Sequence, residues 1–233
     1  MSSTTQFGKA LGLEFRNATR IQQALTAGVE RKALLWLAER TPAWVSVDLL
    51  TVVGFAAQIL AGVCYAAARW NKYALLGSIF FIALNWLGDS LDGTLARFRN
   101  RLRPRYGFYV DHMVDTFGAA ALMIGLAVSN YVHWQVAIGM LVAFLVLAVE
   151  SYLATYTLNN FRLSHGMFGP TEIRILLIAG TVKLLLNPWA HFAGHRFLVF
   201  DVGGVIAIAG MAGMAVAATA RHTIQLYREE RLA

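Results

Sequence analysis

The sequence is poor in charged residues, cysteine and proline. Only 14% of the 233 residues are charged, with one cysteine and four prolines, while 58% are hydrophobic. The lone Cys64 excludes a disulfide within the chain, and its place in an apolar run makes it a packing residue. The mean hydropathy of +0.54 is too high for an ordinary soluble domain. We therefore expect an integral membrane protein.

Long apolar runs indicate how the chain crosses the bilayer. A helix needs about 20 apolar residues to cross roughly 30 Å of hydrocarbon. The sequence predicts an all-α bundle of six transmembrane helices, at Val47–Trp70, Tyr73–Ala96, Tyr106–Ser129, Val132–Leu158, Thr171–Ala193 and Leu198–Ala220. Residues 46–233 would form this membrane domain, and residues 1–45 a cytosolic N-terminal segment.

The N-terminal segment contains a helical pattern of its own. Ala18–Arg40 is predicted to be an amphipathic helix lying in the membrane interface, since its apolar residues recur at near-helical spacing. These residues are Ile21, Leu25, Val29, Ala33, Trp36 and Leu37. The alternative is a solvated helix without membrane contact.

The basic residues lie mainly on one side of this predicted topology. Sixteen of the 20 Lys and Arg residues precede the first span, follow the last, or lie in the loops on that same side. By the positive-inside rule, both termini and the arginine-rich loop from Arg97 to Arg105 lie on the cytoplasmic side. The membrane is expected to be the inner membrane. The basic excess then reflects topology and lipid contact, and no nucleic-acid partner is expected.

Four aspartates interrupt the second and third predicted spans near their cytoplasmic ends. Asp89 and Asp92 share one helix face at i, i+3, and Asp111 and Asp115 share another at i, i+4. A short loop joins the two helices, so we expect them to pack side by side with the two pairs facing each other. Ionisable groups in a span are costly unless they are paired, metal-bound or hydrated.

Clustered carboxylates repel one another unless cations neutralise them. Hard oxygen ligands suit Mg²⁺ or Mn²⁺, and two such ions are a common device for clamping a phosphoryl group. A two-metal site is therefore the hypothesis that the aspartates favour.

The residues around the aspartates form a longer pattern. Its eight defined positions are Asp89, Asp92, Gly93, Ala96, Arg97, Gly107, Asp111 and Asp115. This pattern resembles the signature of the CDP-alcohol phosphotransferase (CDP-alcohol phosphatidyltransferase) family. The resemblance implies a membrane enzyme, usually a homodimer, that transfers a phosphoalcohol group from a CDP-linked donor to an acceptor hydroxyl and releases CMP.

The resemblance also implies residue roles. All four aspartates would bind two divalent ions, and Asp115 would in addition be the general base. Gly93, Ala96, Arg97 and Gly107 would line the CDP pocket near the cytosolic surface. From the residues themselves, Thr51 lies at the depth where the cytidine would bind, and Asn85 could brace a metal ligand. Interhelical hydrogen bonding is the alternative for both residues.

Which substrate is the lipid stays open. Transfer of a phosphatidyl group from a CDP-linked lipid, in phospholipid synthesis, is preferred. The pair Asp111-His112 also resembles the choline and ethanolamine branch of the family, whose acceptor is diacylglycerol. Candidate acceptor-binding residues are His112, Glu150, Arg162 and Arg174.

Two other classes of protein use membrane aspartates. An intramembrane prenyltransferase binds a diphosphate through Asp-rich helices, but Gly93, Ala96 and Arg97 and the six-span count argue against it. A cation transporter would be expected to have broken helices and an internal repeat, and the sequence has neither.

Overall fold

The computed structural model describes residues 27–158, 170–192 and 194–230. These residues form seven helices and one β-hairpin. The helices are α1 Ala27–Arg40, α2 Val47–Ala67, α3 Ala74–Phe98, α4 Pro104–Val128, α5 Trp134–Leu158, α6 Pro170–Leu186 and α7 Val199–Glu229. The hairpin strands are β1 Trp189–Phe192 and β2 His195–Leu198, paired antiparallel.

Five of the described helices, α2, α3, α4, α5 and α7, are long and apolar enough to cross a membrane. The chain is thus a mostly helical, multi-pass membrane protein. The prediction of a helical span from Thr171 to Ala193 was wrong at its C-terminal end. Helix α6 stops at Leu186 and the chain continues into the hairpin, because Pro188 restricts the preceding residue and offers no N–H to a helix.

Local sequence signals explain the ends of the helices that carry the aspartates. The hydroxyl of Ser46 accepts a hydrogen bond from the Leu49 N–H at 3.0 Å and caps the start of α2. Asn100 adopts a positive φ of 53° directly after α3, and Pro104 occupies the first turn of α4. The polypeptide therefore reverses within five residues, which brings both aspartate pairs to one end of the bundle.

Helix α2 is the centre of the aspartate-bearing unit and packs against both α3 and α4. A Cβ added at Gly88 would lie 2.8 Å from the Gly54 Cα, and one added at Gly125 would overlap the Gly62 carbonyl. In the described chain, α3 and α4 approach α2 more closely than they approach each other. The expectation that α3 and α4 pack directly side by side was therefore wrong.

Helix α1 packs on α3 through a face that only partly matches the predicted one. Leu34 and Ala38 are buried and pack in one cluster with Leu91 and Leu95. Of the residues predicted on the apolar face, Leu37 packs against this cluster, Ala33 and Trp36 are exposed, and Ile21 and Leu25 lie outside the described residues. The contact with α3 selects the buried face because Leu34 and Ala38 stand one turn apart on it.

An apolar core fills the other end of the bundle. It joins residues of all six helices from α2 to α7, among them Tyr65, Leu75, Leu126, Met140 and Phe200. The Tyr65 hydroxyl lies 2.6 Å from the Thr181 hydroxyl, so the buried phenol is hydrogen-bonded. This core leaves the aspartate end as the polar part of the bundle.

Candidate functional site

One cavity collects all four predicted aspartates. Helices α2, α3 and α4 supply its walls, with residues Thr51, Gly54, Phe55, Asn85, Asp89, Asp92, Asp111, Val114 and Asp115. The small Gly54 sits where α2 meets α3, and a Cβ there would lie 3.3 Å from the Asp89 nitrogen. The close approach of these helices is what brings α2 to the carboxylates.

Asp92 is the most buried of the four aspartates, with 6% of its surface exposed. Its Oδ2 accepts a 2.6 Å hydrogen bond from the Thr51 hydroxyl, and its Oδ1 accepts one from the Gly93 N–H at 2.5 Å. Both bonds to a charged acceptor fix the carboxylate in the wall of the cavity. Thr51 therefore contacts an aspartate of the site directly.

Asp89 is paired with a cation from a helix that does not line the cavity. Arg174 of α6 donates from Nη2 to Asp89 Oδ2 at 2.8 Å, and the arginine side chain is only 12% exposed. Arg174 was expected on the aspartate side of the membrane, but this ion pair was not predicted. No local pattern could reveal it, since 85 residues separate the partners.

The α4 pair is more open to its surroundings. Asp111 is exposed and Asp115 is half-buried, and the two stand one turn apart facing the α3 pair across the cavity. The four carboxylates thus differ in solvent exposure, from the buried Asp92 to the exposed Asp111.

Of the predicted nucleotide residues, Thr51 lines the cavity, and the other four do not. Ala96 is buried and Arg97 is exposed, with Arg97 Nη2 3.4 Å from the Thr94 hydroxyl. A Cβ added at Gly107 would meet no atom within 4 Å. Gly107 therefore leaves open space on the surface of α4, and Gly93 is half-buried on α3.

Two candidate acceptor residues are engaged away from the cavity. The Nδ1 of His112 lies 2.5 Å from the Phe108 carbonyl oxygen, and its ring packs edge-on against Tyr152 of α5 with 4.7 Å between centroids. Glu150 Oε1 lies 2.6 Å from His222 Nδ1 and joins α5 to α7. Neither side chain lines the aspartate cavity. Arg162 lies outside the described residues.

Asn85 makes interhelical hydrogen bonds, which was the alternative to bracing a metal ligand. Its Nδ2 donates to the Gly54 carbonyl at 3.0 Å and lies 3.4 Å from Gln58 Oε1. The amide therefore joins α3 to α2 and supports the cavity wall, and its side-chain hydrogen bonds go to α2 rather than to an aspartate.

The donor set suits hard divalent cations, because carboxylate and hydroxyl oxygens are their preferred ligands. In the described ranges, no three His, Cys, Asp or Glu side chains already converge on a single ion position. Arg174 and Thr51 hold one oxygen each of Asp89 and Asp92. The chemistry of the ligands thus fits divalent ions, while their present orientation is set by contacts within the protein.

Fold and site together define a multi-pass membrane protein with a carboxylate-lined cavity at one end of its bundle. The sequence model of the CDP-alcohol phosphatidyltransferase family matches residues 44–218, which include every helix that lines or flanks the cavity. The chain belongs to that family.

Two relatives illustrate the range of similarity. The archaetidylinositol phosphate synthase of Pyrococcus horikoshii is 31% identical over 108 residues, which are 46% of this chain and 50% of the relative. The match thus spans half the length of that protein. The crystal structure of the phosphatidylinositol phosphate synthase of Mycobacterium tuberculosis with CDP-DAG bound is similar with a TM-score of 0.49 and 19% identity, over 90% of this chain and 98% of that one.

Proposed function

We propose that this protein transfers a phosphoalcohol group from a CDP-linked donor to an acceptor hydroxyl and releases CMP, as a step of phospholipid synthesis. The observation that carries the proposal is the convergence of Asp89, Asp92, Asp111 and Asp115 on one cavity, in a chain whose family is defined by this chemistry. The archaeal relative, named as a synthase of a phosphorylated inositol lipid, supports a product that is a phospholipid.

The four aspartates are the residues that would hold two divalent ions, Mg²⁺ or Mn²⁺. When bound, such ions would neutralise the donor pyrophosphate and the charge that develops on it during displacement. The carboxylates of Asp89 and Asp92 approach from α3, and those of Asp111 and Asp115 approach from α4. A pyrophosphate that reached this cavity would therefore meet acidic ligands on two sides.

Asp115 is the proposed general base. The acceptor oxygen would form a bond to the phosphorus that carries the alcohol, and the bond from that phosphorus to the CMP oxygen would break. The acceptor proton would move to a carboxylate oxygen of Asp115, and the electron pair of the broken bond would leave with CMP. The half-buried position of Asp115 in the cavity wall suits a base that must reach a bound hydroxyl.

The nucleotide would bind along the α3 surface beside the cavity. Gly93 and Ala96 lack bulk there, which lets a flat ligand approach the helix backbone. Arg97 is exposed and can turn its guanidinium to phosphate oxygens. Thr51 would hold Asp92 in place from α2, and Gly107 leaves room on the facing helix.

Arg174 is the strongest acceptor-side candidate, because it places a buried cation on Asp89 at the edge of the site. An arginine can bind a phosphate on the acceptor in two-point fashion. Arg162 stays a candidate from the sequence. Glu150 and His112 are not included, since their contacts described above lie outside the cavity.

We further propose the membrane arrangement that fits this chemistry. Helix α6 has 17 residues, about 25 Å at 1.5 Å per residue, so it would complete a sixth span only across a thin or deformed region of bilayer. Six spans would put both termini on the same side of the membrane, and the excess of basic residues on that side favours the cytoplasmic face of the inner membrane. The aspartates would lie on this side, with α1 in the interface. The working unit would be a homodimer.

The decisive assay supplies purified protein with radiolabelled CDP-diacylglycerol and, separately, with CDP-choline or CDP-ethanolamine plus diacylglycerol. Release of CMP that depends on Mg²⁺ or Mn²⁺ is expected with a CDP-linked lipid. Turnover of the soluble CDP-alcohols instead would assign the choline and ethanolamine type of transfer. If every CDP donor fails and prenyl diphosphate is consumed, the proposal is wrong.

Asp115→Asn tests the base. Turnover should fall by at least about 1,000-fold, as for removal of a group that acts with its neighbours in the transition state, while CDP binding stays close to that of the unaltered protein. Loss of nucleotide binding in parallel with turnover would make Asp115 a ligand rather than a base. Glu39→Gln, an exposed carboxylate on α1, is the matched control and should retain full activity.

A further inference from the structure

We propose that Glu30 of helix α1 is a positioning residue for the carboxylate site. It would act by tying the start of α6 to α3, so that Arg174 stays on Asp89. The inference rests on the proposed function for its kinetic consequence. It assigns part of the site's geometry to a helix that contributes no residue to the cavity.

One oxygen of Glu30 collects hydrogen bonds from two helices. Glu30 Oε1 lies 3.2 Å from the indole Nε1 of Trp86 and 3.2 Å from the Ser90 hydroxyl, both on α3. The same oxygen lies 3.0 Å from the Thr171 hydroxyl, in the first turn of α6. Three neutral donors on one carboxylate oxygen make a charge-assisted junction of α1, α3 and α6.

On α3, the Glu30 contacts and the aspartates occupy neighbouring stripes. Trp86 and Ser90 stand at i, i+4 and turn toward α1, while Asp89 and Asp92 stand at i, i+3 and turn toward the cavity. Ser90 directly follows Asp89 in sequence. A shift of α3 against α1 would therefore move the aspartate stripe as well.

On α6, a single face makes both contacts. Thr171 and Arg174 stand at i, i+3, so they lie one above the other on the same side of the helix. Thr171 reaches Glu30 and Arg174 reaches Asp89 at 2.8 Å. The first turn of α6 is thus linked to α3 twice, through Glu30 of α1 at Thr171 and directly at Arg174.

Burial and charge separate Glu30 from the other acidic residues of α1. Its second oxygen, Oε2, is buried and has no hydrogen-bond donor among the described residues, so the carboxylate depends on the three donors to Oε1. A negative charge beside the first turn of α6 is also favoured by the helix dipole. Glu39, on the same helix, is 59% exposed at its side chain and contacts only Arg40 at 3.9 Å in the described chain.

The first test separates positioning from simple support of the fold. Glu30→Ala should lower kcat/KM for the acceptor about tenfold, in the way that loss of an oriented contact does, with the KM for the CDP donor unchanged. Glu30→Gln keeps an oxygen acceptor for the three donors and should restore most of the activity. Glu39→Ala is the control and should match the unaltered protein. A lower thermal stability of Glu30→Ala with unchanged kinetics per folded molecule would overturn the proposal.

The second test does not need turnover. Thermal midpoints in detergent are compared for Glu30→Ala, Arg174→Met and the double variant. Because Glu30 does not contact Arg174, independent roles would give additive losses. If Glu30 holds α6 in place for the ion pair, Glu30→Ala should lower the thermal midpoint less in the Arg174→Met protein than in the unaltered protein. Additive losses would overturn the inference even if the transferase assay succeeds.

Thr171→Val is the milder variant if Glu30→Ala fails to fold. It removes only the hydrogen bond from α6 to Glu30. It should also lower the thermal midpoint less in the Arg174→Met protein than in the unaltered protein. An equal fall in the thermal midpoint in both proteins would contradict the proposal. If no CDP donor is turned over, the proposed function fails, and these midpoints still decide whether Glu30 positions Arg174.

Discussion

The unit of α2, α3 and α4 and the pair of α5 and α7 are packed by different means. In the first, backbone meets backbone: a Cβ added at Gly88 would lie 2.8 Å from the Leu50 carbonyl oxygen. In the second, side chains fill the contact: a Cβ at Gly139 would lie 2.9 Å from the end of Ile208. The first unit fixes helix positions rigidly, whereas the second can adjust rotamers.

The polar contacts of the two regions also differ, because only those of the three-helix unit surround a cavity lined by carboxylates. The three-helix unit places Thr51, Asp92 and Asn85 in interhelical hydrogen bonds around one cavity. The α5–α7 pair has a Glu150–His222 contact, and the turn before α5 is joined to α7 by His133 and Asp201, with 2.5 Å between His133 Nδ1 and Asp201 Oδ2. Rigid packing thus coincides with the carboxylate site, which is where fixed ligand positions would be needed.

The largest contrast between the regions should appear in turnover. Asp92→Asn keeps the shape of the side chain but removes a carboxylate charge, and CMP release should fall by at least about 100-fold because a ligand to the pyrophosphate-binding ions is weakened. The matched change in the other region is Asp201→Asn, which should leave turnover within about twofold. The measurement is the initial rate of CMP release at saturating donor, at the divalent-ion concentration that saturates the unaltered protein.

Equal losses in the two variants would contradict the assignment of the site to the three-helix unit. A large loss of turnover in Asp92→Asn that disappears at a raised Mn²⁺ concentration would support the role of Asp92 as an ion ligand, since added ion then compensates for weaker ion binding. Protein yield and thermal midpoint serve as controls for folding.

A second contrast concerns stability. Gly125→Ala would push a Cβ into the Gly62 carbonyl, and forced separation of two helices typically costs about 1–3 kcal/mol. Gly139→Ala meets only the flexible end of Ile208 and should cost under about 0.5 kcal/mol. Thermal unfolding of both variants in the same detergent measures the difference. Similar midpoints would show that α2 and α4 are not held by backbone contact.

Much of this arrangement could be predicted from sequence, because its signals are local. Apolar runs identified α2, α3, α4, α5 and α7, and helical spacing put each aspartate pair on one face. The confirmed family followed from the same eight positions.

What could not be predicted depends on long-range packing. The place of α2 between α3 and α4 is set by Gly54, Gly62, Gly88 and Gly125 together, and an isolated glycine does not reveal its partner. The Arg174 contact with Asp89 and the Glu30 junction join helices far apart in sequence. The sequence predicted one long span from Thr171 to Ala193, whereas the chain forms the shorter helix α6 and then the hairpin. The apolar pattern alone did not show that the helix ends before Pro188.

The smallest predicted effect is at Thr51. Thr51→Val keeps the shape but removes the 2.6 Å hydrogen bond to Asp92, which is worth about 1 kcal/mol net, so kcat/KM should fall about fivefold. Thr51→Ser keeps the hydroxyl and should stay close to the unaltered protein. The two variants are compared at equal folded protein, and a loss in Thr51→Ser as large as that in Thr51→Val would contradict a role of the hydroxyl hydrogen bond, because Thr51→Ser keeps the hydroxyl and loses only the methyl group.

The central claim is that the four aspartates bind divalent ions beneath a nucleotide. The most direct measurement is a crystal structure grown with Mn²⁺ and CDP, with anomalous scattering used to locate manganese. We predict two manganese peaks in the cavity, bound by carboxylates of both α3 and α4, with CDP phosphate density beside them. Manganese bound elsewhere, with an empty cavity under saturating Mn²⁺ and CDP, would contradict the account.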